Sequence, residues 1–206
     1  MRPRKAAFRR PLDRVFSAPS HVAILRALLD SAEGMSGRQL ARSAEVNHQT
    51  CALALARLEE IGVVRRQGSG QSQLFRLNRH NVLVRDLLVP LFRGERDAFR
   101  ALLARLGALV SGRCSRAMIF GSVARGEERR DSDLDLLLIV NGAAGGTVAR
   151  AAAEEGRRAM WEEWGVRVNA IVLTVRELDR RRRGGDPLVA AILREGIDVD
   201  SGSGAR

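Results

Sequence analysis

The sequence predicts an α+β chain of two domains joined by a helical connector, on three observations. Apolar residues recur at helical spacing from Ser20 and then give way to two short alternating runs around glycines. A second helical stretch fills 81–110, and from Arg116 the pattern becomes short apolar strands separated by helices. The expected division is 1–80, 81–110 and 111–206. With 206 residues, 45% of them hydrophobic, the chain can bury a core in each domain.

In the first part, Val22, Ile24, Leu25, Leu28 and Leu29 share one face of a helix that Gly34 stops. Ser36 reads as the N-cap of a short helix, GRQLARSA, and Asn47 as that of a longer one, HQTCALALARLEEIG, with Val46 at the tight turn between them. Leu53, Leu55, Leu58 and Ile61 read as core. The segment VVRRQGSGQSQLFRLN then alternates around Gly68, Ser69 and Gly70, as a β-hairpin does.

From about Ser20 to Asn78 this arrangement resembles the winged-helix regulators of bacteria, above all in RQLARSAEVNHQTCALALARLEEIGVVRR and the glycine hairpin after it. The resemblance implies an N-terminal winged helix-turn-helix with double-stranded DNA as partner. His48, Gln49 and Thr50 then open the helix that meets base edges, Arg57 lies farther along it, and Arg65, Arg66, Gln71 and Gln73 flank the wing. A winged helix also serves in protein–protein contacts, which is the competing reading. Charge favours nucleic acid: residues 1–80 hold 14 basic against 6 acidic side chains, which is most of the net +11.

Val84, Leu87, Leu88 and Leu91, then Phe99, Leu102, Leu103, Leu106, Leu109 and Val110, continue the helical period, and Pro90 should break or kink it, giving two helices. Such a connector packs either on a domain or on a second copy of itself, so a homodimer is one expectation. Beyond it, AMIF, LDLLLIV and RVNAIVLT read as strands. TVARAAAEEGRRAMWEEWG reads as a helix with Val148, Ala152 and Met160 inward, while VRELDRRRR and DPLVAAILREG read as closing helices.

The sharpest signal is IFGSVARGEERRDSDLDLLLIV. Gly121 and Ser122 end one strand, Asp133 and Asp135 begin the next, and ten residues separate Ser122 from Asp133. The motif resembles the DNA polymerase beta-like nucleotidyltransferase superfamily, most closely its minimal branch. That implies an α/β nucleotidyltransferase fold with a short mixed sheet, in which Gly121 and Ser122 approach the phosphates of a nucleotide at the start of a short helix over 122–126. Positions two apart on a strand share a face, so Asp133 and Asp135 present paired carboxylates, a donor set suited to Mg²⁺ (or Mn²⁺) shared with substrate phosphates. Leu134, Leu136 and Leu138 take the opposite, buried face. Arg125 either assists the triphosphate or is an ordinary exposed arginine, and Asp131 belongs to the turn.

The implied reaction moves a nucleoside monophosphate from an NTP, ATP first among candidates, to an acceptor hydroxyl on a protein or nucleic acid, with two metals about 4 Å apart. One position departs from the pattern. The superfamily's third carboxylate, on a later strand, falls at Asn169, a neutral amide that is no base at neutral pH, with Glu162 or Glu163 as replacements. Two functions follow: a Mg²⁺-dependent nucleotidyltransferase that binds DNA, or a DNA-binding regulator whose nucleotidyltransferase-like domain binds nucleotide with little or no turnover. The run Arg180 to Arg183 either binds an acceptor nucleic acid or is solvated. Cys51 and Cys114, one in each domain, suggest neither a disulfide framework nor a zinc site, and no apolar run is long enough to span a bilayer, so the expected location is the cytoplasm.

Overall fold

In the computed structural model, residues 9–68, 73–129 and 131–199 are described. Gln71, the Ser69–Gly70 tip of the hairpin and the SGSGAR terminus fall outside them. The chain forms two units, Met1–Arg96 and Asp97–Arg206, and is mixed α/β. The boundary lies inside the stretch expected to be a separate connector. No helix among the described residues is long and apolar enough to cross a membrane.

The first unit comprises α1 (Leu12–Val15), α2 (Pro19–Leu29), α3 (Gly37–Ser43), α4 (His48–Glu60) and a hairpin of β1 (Val64–Gln67) and β2 (Leu74–Leu77). Local chemistry sets the helix starts. Ser36 Oγ accepts from the Gln39 N–H while Gln39 reaches back to the Ser36 N–H, and Asn47 Oδ1 accepts from the Thr50 N–H at 2.8 Å. Ile24, Leu25, Leu28, Leu40 and Leu58 are fully buried at the centre. Leu53, expected in the core, is instead 58% exposed, because the buried stripe of α4 runs through Cys51, Ala54, Leu55 and Leu58 and turns Leu53 outward. β1 and β2 pair antiparallel, Val64 opposite Leu77 and Gln67 opposite Leu74.

Pro90 does not split the following helical stretch. A π-helical turn over Leu83–Leu88 leads directly into α5 (Val89–Val110), with Pro90 in its first turn. Proline lacks an N–H and its ring crowds the carbonyl four residues back, and the wider turn relieves that crowding without ending the helix. Val89 and Phe92 join the first unit's core, whereas Leu102, Leu106, Leu109 and Val110 join that of the second.

The second unit is a four-stranded mixed sheet in the order β5-β4-β3-β6, built from β3 (Arg116–Phe120), β4 (Leu134–Val140), β5 (Val168–Thr174) and β6 (Ile197–Asp198). β3 runs antiparallel to β4 and β6, and β4 parallel to β5 through the crossover helix α7 (Gly142–Trp164). α6 (Gly121–Arg125) follows β3, while α8 (Val175–Arg183) and α9 (Pro187–Glu195) follow β5. One face of the sheet, with Ile119, Leu134, Leu136, Leu138 and Val168, packs with Leu106 of α5 and Ala149, Ala153 and Met160 of α7. The other, with Met118, Phe120, Leu137, Ile139 and Leu173, packs with Ile192 of α9 and Leu178 of α8.

β4 is therefore buried on both faces, which explains its unbroken apolar run. Leu134, Leu136 and Leu138 lie opposite Asp135 as expected, but Leu137 and Ile139, on the Asp135 face, are buried as well. Val148, expected inside, is 50% exposed. The inner face of α7 consists of Ala149, Ala152, Ala153 and Met160 on a 3.6-residue period, and its small side chains let the helix approach the sheet closely.

Candidate functional site

The site forms where β3 ends and β4 begins. Phe120 stands opposite Asp135 in the β3–β4 ladder, so the next residue, Gly121, comes alongside the Asp135 carboxylate. Gly121 has φ +79°, and a Cβ built on it would stand 2.6 Å from Asp135 Oδ2. Glycine is required there twice over, by the left-handed backbone and by the space. On the other side of Asp135, the parallel β4–β5 register places Asn169 directly opposite it, and Asn169 Nδ2 donates to Asp135 Oδ1 at 3.1 Å. One carboxylate is thus flanked by a glycine backbone and by an amide.

Asp133, just ahead of β4, is exposed and lines a cleft of about 560 Å³ with Arg157, Trp161, Arg167, Val168 and Asn169. Ser122 is half-buried in α6. Asp133, Asp135, Asn169, Gly121 and Ser122 therefore gather at one end of the sheet. Arg125 is on the last turn of α6 and is engaged by carboxylates: its Nε donates to Glu127 at 2.7 Å, and Nη1 lies 3.4 Å from Glu195 Oε2. Hydrogen bonding to Glu127 first, with Glu195 adding, raises the guanidinium pKa above its ordinary value.

Glu162 and Glu163, the expected alternatives for a third carboxylate, both stand in the last turn of α7. Neither lines the cleft beside Asn169, and Glu163 is bound by Arg105 at 2.7–3.1 Å, which lowers its pKa. Among the described residues no cluster of three or more His, Cys, Asp or Glu is placed to hold a metal. The donors present, two carboxylates and an amide oxygen, fit a hard cation that completes its shell with water and substrate phosphates. In the turn before β4, which includes Asp131, Ser132 Oγ accepts from the Arg129 N–H at 2.8 Å. Arg180 to Arg183 are exposed on α8, with Arg181 3.8 Å from Asp186 and Arg183 Nε donating to the Asp179 carbonyl.

In the first unit, His48, Gln49 and Arg57 are exposed on α4, and Thr50 is half-buried. His48 and Arg66 share a cleft of about 740 Å³ with Arg38, Gln73 and Phe75, between the helices and the hairpin. Arg66 is already engaged there, donating to Glu59 at 2.6 Å and lying 5.4 Å from the Phe75 ring centroid. Arg65 also borders a second cleft with Arg76, Arg79 and His80, apart from His48.

Sequence reasoning missed Arg38 in the first unit and Arg157 and Trp161 in the second. Arg157 and Trp161 are spaced i, i+4 on one helix, which places them one turn apart on the same face, and that spacing was the available signal.

Residues 102–198 match the family model described as nucleotidyltransferase domain. The C-terminal part of the chain thus carries a nucleotidyltransferase domain, consistent with the mixed sheet and the Gly121–Asp135 end. No curated protein matches the chain.

Proposed function

We propose that the protein transfers a nucleoside monophosphate from an NTP to an acceptor hydroxyl with Mg²⁺ (or Mn²⁺), and that its N-terminal unit is a winged helix that binds double-stranded DNA. The observation that carries the first reading is Asp135 held between Gly121 and Asn169. The bare backbone at Gly121, with the Ser122 hydroxyl beside it, offers an approach for the triphosphate, and Asp133 and Asp135 would hold the metal. Bound there, Mg²⁺ would offset charge on the phosphate oxygens at which negative charge grows. The acceptor oxygen forms a bond to the α-phosphorus as the α–β anhydride bond breaks and pyrophosphate leaves. Asn169 orients Asp135 through its amide but cannot take the acceptor's proton at neutral pH, so that proton passes to solvent.

The test is incubation with α-labelled ATP and the other NTPs, Mg²⁺ or Mn²⁺ and host lysate, beside the Asp133→Asn, Asp135→Asn variant. Label moved only by the unsubstituted chain supports transfer. Label moved equally by both sinks it.

Asn169 favours a second reading, in which the domain binds nucleotide with little turnover and reports it to a DNA-binding regulator. Nucleotide binding that depends on metal, without transfer to any acceptor, is its signature. For the N-terminal unit, Gln49→Ala and Arg57→Ala on α4 should weaken binding to duplex DNA. If the Arg57 guanidinium neutralises a phosphate, its removal should flatten the slope of log K against log salt by about one. Unchanged affinity in both variants would remove α4 from the interface.

A further inference from the structure

β5 ends the sheet on one side: in the order β5-β4-β3-β6, no strand among the described residues pairs with its outer edge. Edge strands are ordinarily blunted by a charge, a proline or a bulge. From Ala170 to Thr174 the sequence AIVLT has no charge and no proline, and its register with β4 runs unbroken from Val168 to Thr174.

The ladder fixes which main-chain groups are left over. The Leu134 N–H donates to the Arg167 carbonyl, and Leu134 stands opposite Val168. In a parallel pair, alternate residues turn both N–H and C=O toward the neighbouring strand, so Asn169, Ile171 and Leu173 face β4 while Val168, Ala170, Val172 and Thr174 face outward. Both ends of this outward row are closed. The Val168 carbonyl accepts from Arg157 Nε at 3.1 Å, and the Thr174 N–H donates to Glu177 Oε2 at 2.8 Å. Between them, the outward N–H and C=O of Ala170 and Val172 have no partner among the described residues.

This pattern is symmetric about Ile171. Two antiparallel β5 strands related by a two-fold axis at Ile171 set Ala170 of each copy opposite Val172 of the other, and each such pair exchanges N–H···O=C bonds in both directions. Every free N–H and C=O of the edge is then used. The next positions along the ladder, Val168 and Thr174, would face each other, and they are the ones already closed.

The neighbouring helix fits the same axis. A groove of about 400 Å³ along this edge is lined by Arg150, Ala151, Ala153 and Glu154 of α7 with Ala170 and Val172, so the helical stretch 150–154 lies beside the centre of β5. The two-fold brings the α7 helices together antiparallel on one face of the joined sheet, with Arg150 of one copy toward Glu154 of the other. Arg150 is exposed and has no ion pair among the described residues, whereas Glu154 meets Arg157 through one oxygen only.

We propose that β5 is a self-pairing edge, through which two copies of the chain join antiparallel at Ala170 and Val172 into one continuous sheet. The symmetry about Ile171 and the complementary charges of Arg150 and Glu154 indicate a second copy, since a strand of another protein needs neither. This interface is distinct from pairing through the helical stretch 81–110, and it is independent of the transferase reading.

The test is sedimentation velocity of the full chain over a concentration series, with amide hydrogen exchange on the same protein. The parent should approach twice the chain mass, and its Ala170 and Val172 amides should be protected although no strand of their own chain pairs with them. Val172→Pro removes an outward N–H and leaves the bonds to β4 in place, so it should raise the dimer Kd about tenfold or more with unchanged circular dichroism. Arg150→Glu should also weaken the dimer, and Arg150→Glu, Glu154→Arg should restore it, which a damaged fold would not do. A parent that stays monomeric throughout, or a dimer whose Ala170 and Val172 amides exchange freely, would overturn the proposal. So would a folded Val172→Pro chain that dimerises with parental affinity, which would move the interface off β5.

Discussion

The two flanks of Asp135 differ in kind. On the β3 side, backbone geometry makes the fit: Gly121 at positive φ brings main chain against the carboxylate where any side chain would collide. On the β5 side, a side chain makes it, with the Asn169 amide donating to the same carboxylate. The first flank tolerates no change of residue without moving Asp135. At the second, the residue at position 169 sets how much charge stands beside Asp135. On the proposed function, the Gly121 flank serves phosphate approach and the position 169 flank acceptor activation.

The largest expected effect comes from removing what both flanks serve. Asp133→Asn, Asp135→Asn should lower metal-dependent transfer at least about a hundredfold, roughly 3 kcal/mol of transition-state stabilisation, measured by initial rates at saturating NTP. Next is Gly121→Ala. A left-handed alanine costs about 1–2 kcal/mol, and the clash with Asp135 adds to it, so Tm should fall and nucleotide affinity with it. Gly126→Ala is the control, because φ there is +67° but nothing lies within 4 Å of the added Cβ. Its Tm should drop less, and its nucleotide affinity should hold. Equal effects in both would mean that the closeness of Gly121 to Asp135 is immaterial.

How much of this was legible in the sequence depended on whether the signal was local. Asn169 was singled out through the resemblance to the superfamily's pattern, and the parallel β4–β5 register sets it opposite Asp135, a pairing between strands that alternation within each strand does not specify. The caps at Ser36 and Asn47 were legible, being short-range hydrogen bonds. Val148 and Leu53 were misplaced, since an alanine-rich helix offers several nearly equal inner faces and only tertiary packing selects one. The cleft around Trp161 showed only as the i, i+4 spacing of Arg157 and Trp161, because Asp133, Arg167 and Asn169 join it from parts of the chain outside that helix.

The β5 flank can be sharpened by Asn169→Asp. Without divalent cation the new carboxylate faces Asp135 in place of a hydrogen bond, so Tm should fall slightly. With Mg²⁺ Tm should recover beyond the parent, and transfer should rise about tenfold as a base becomes available. No change in the Mg²⁺ dependence of Tm would place the cation elsewhere. Smallest is Arg125→Ala: Glu127 and Glu195 already occupy this exposed side chain, so nucleotide affinity should change only a few-fold. A loss as large as that of the aspartate variants would make Arg125 part of the triphosphate site.

The most direct test of a site centred on Asp135 is calorimetric titration of the protein with a non-hydrolysable ATP analogue, in Mg²⁺ and again in EDTA, for the parent chain and Asp135→Asn. Saturable binding that needs Mg²⁺ in the parent and disappears in Asp135→Asn is the predicted result. Binding that persists in EDTA, or with equal affinity in Asp135→Asn, would contradict it and move the nucleotide away from the end of β4.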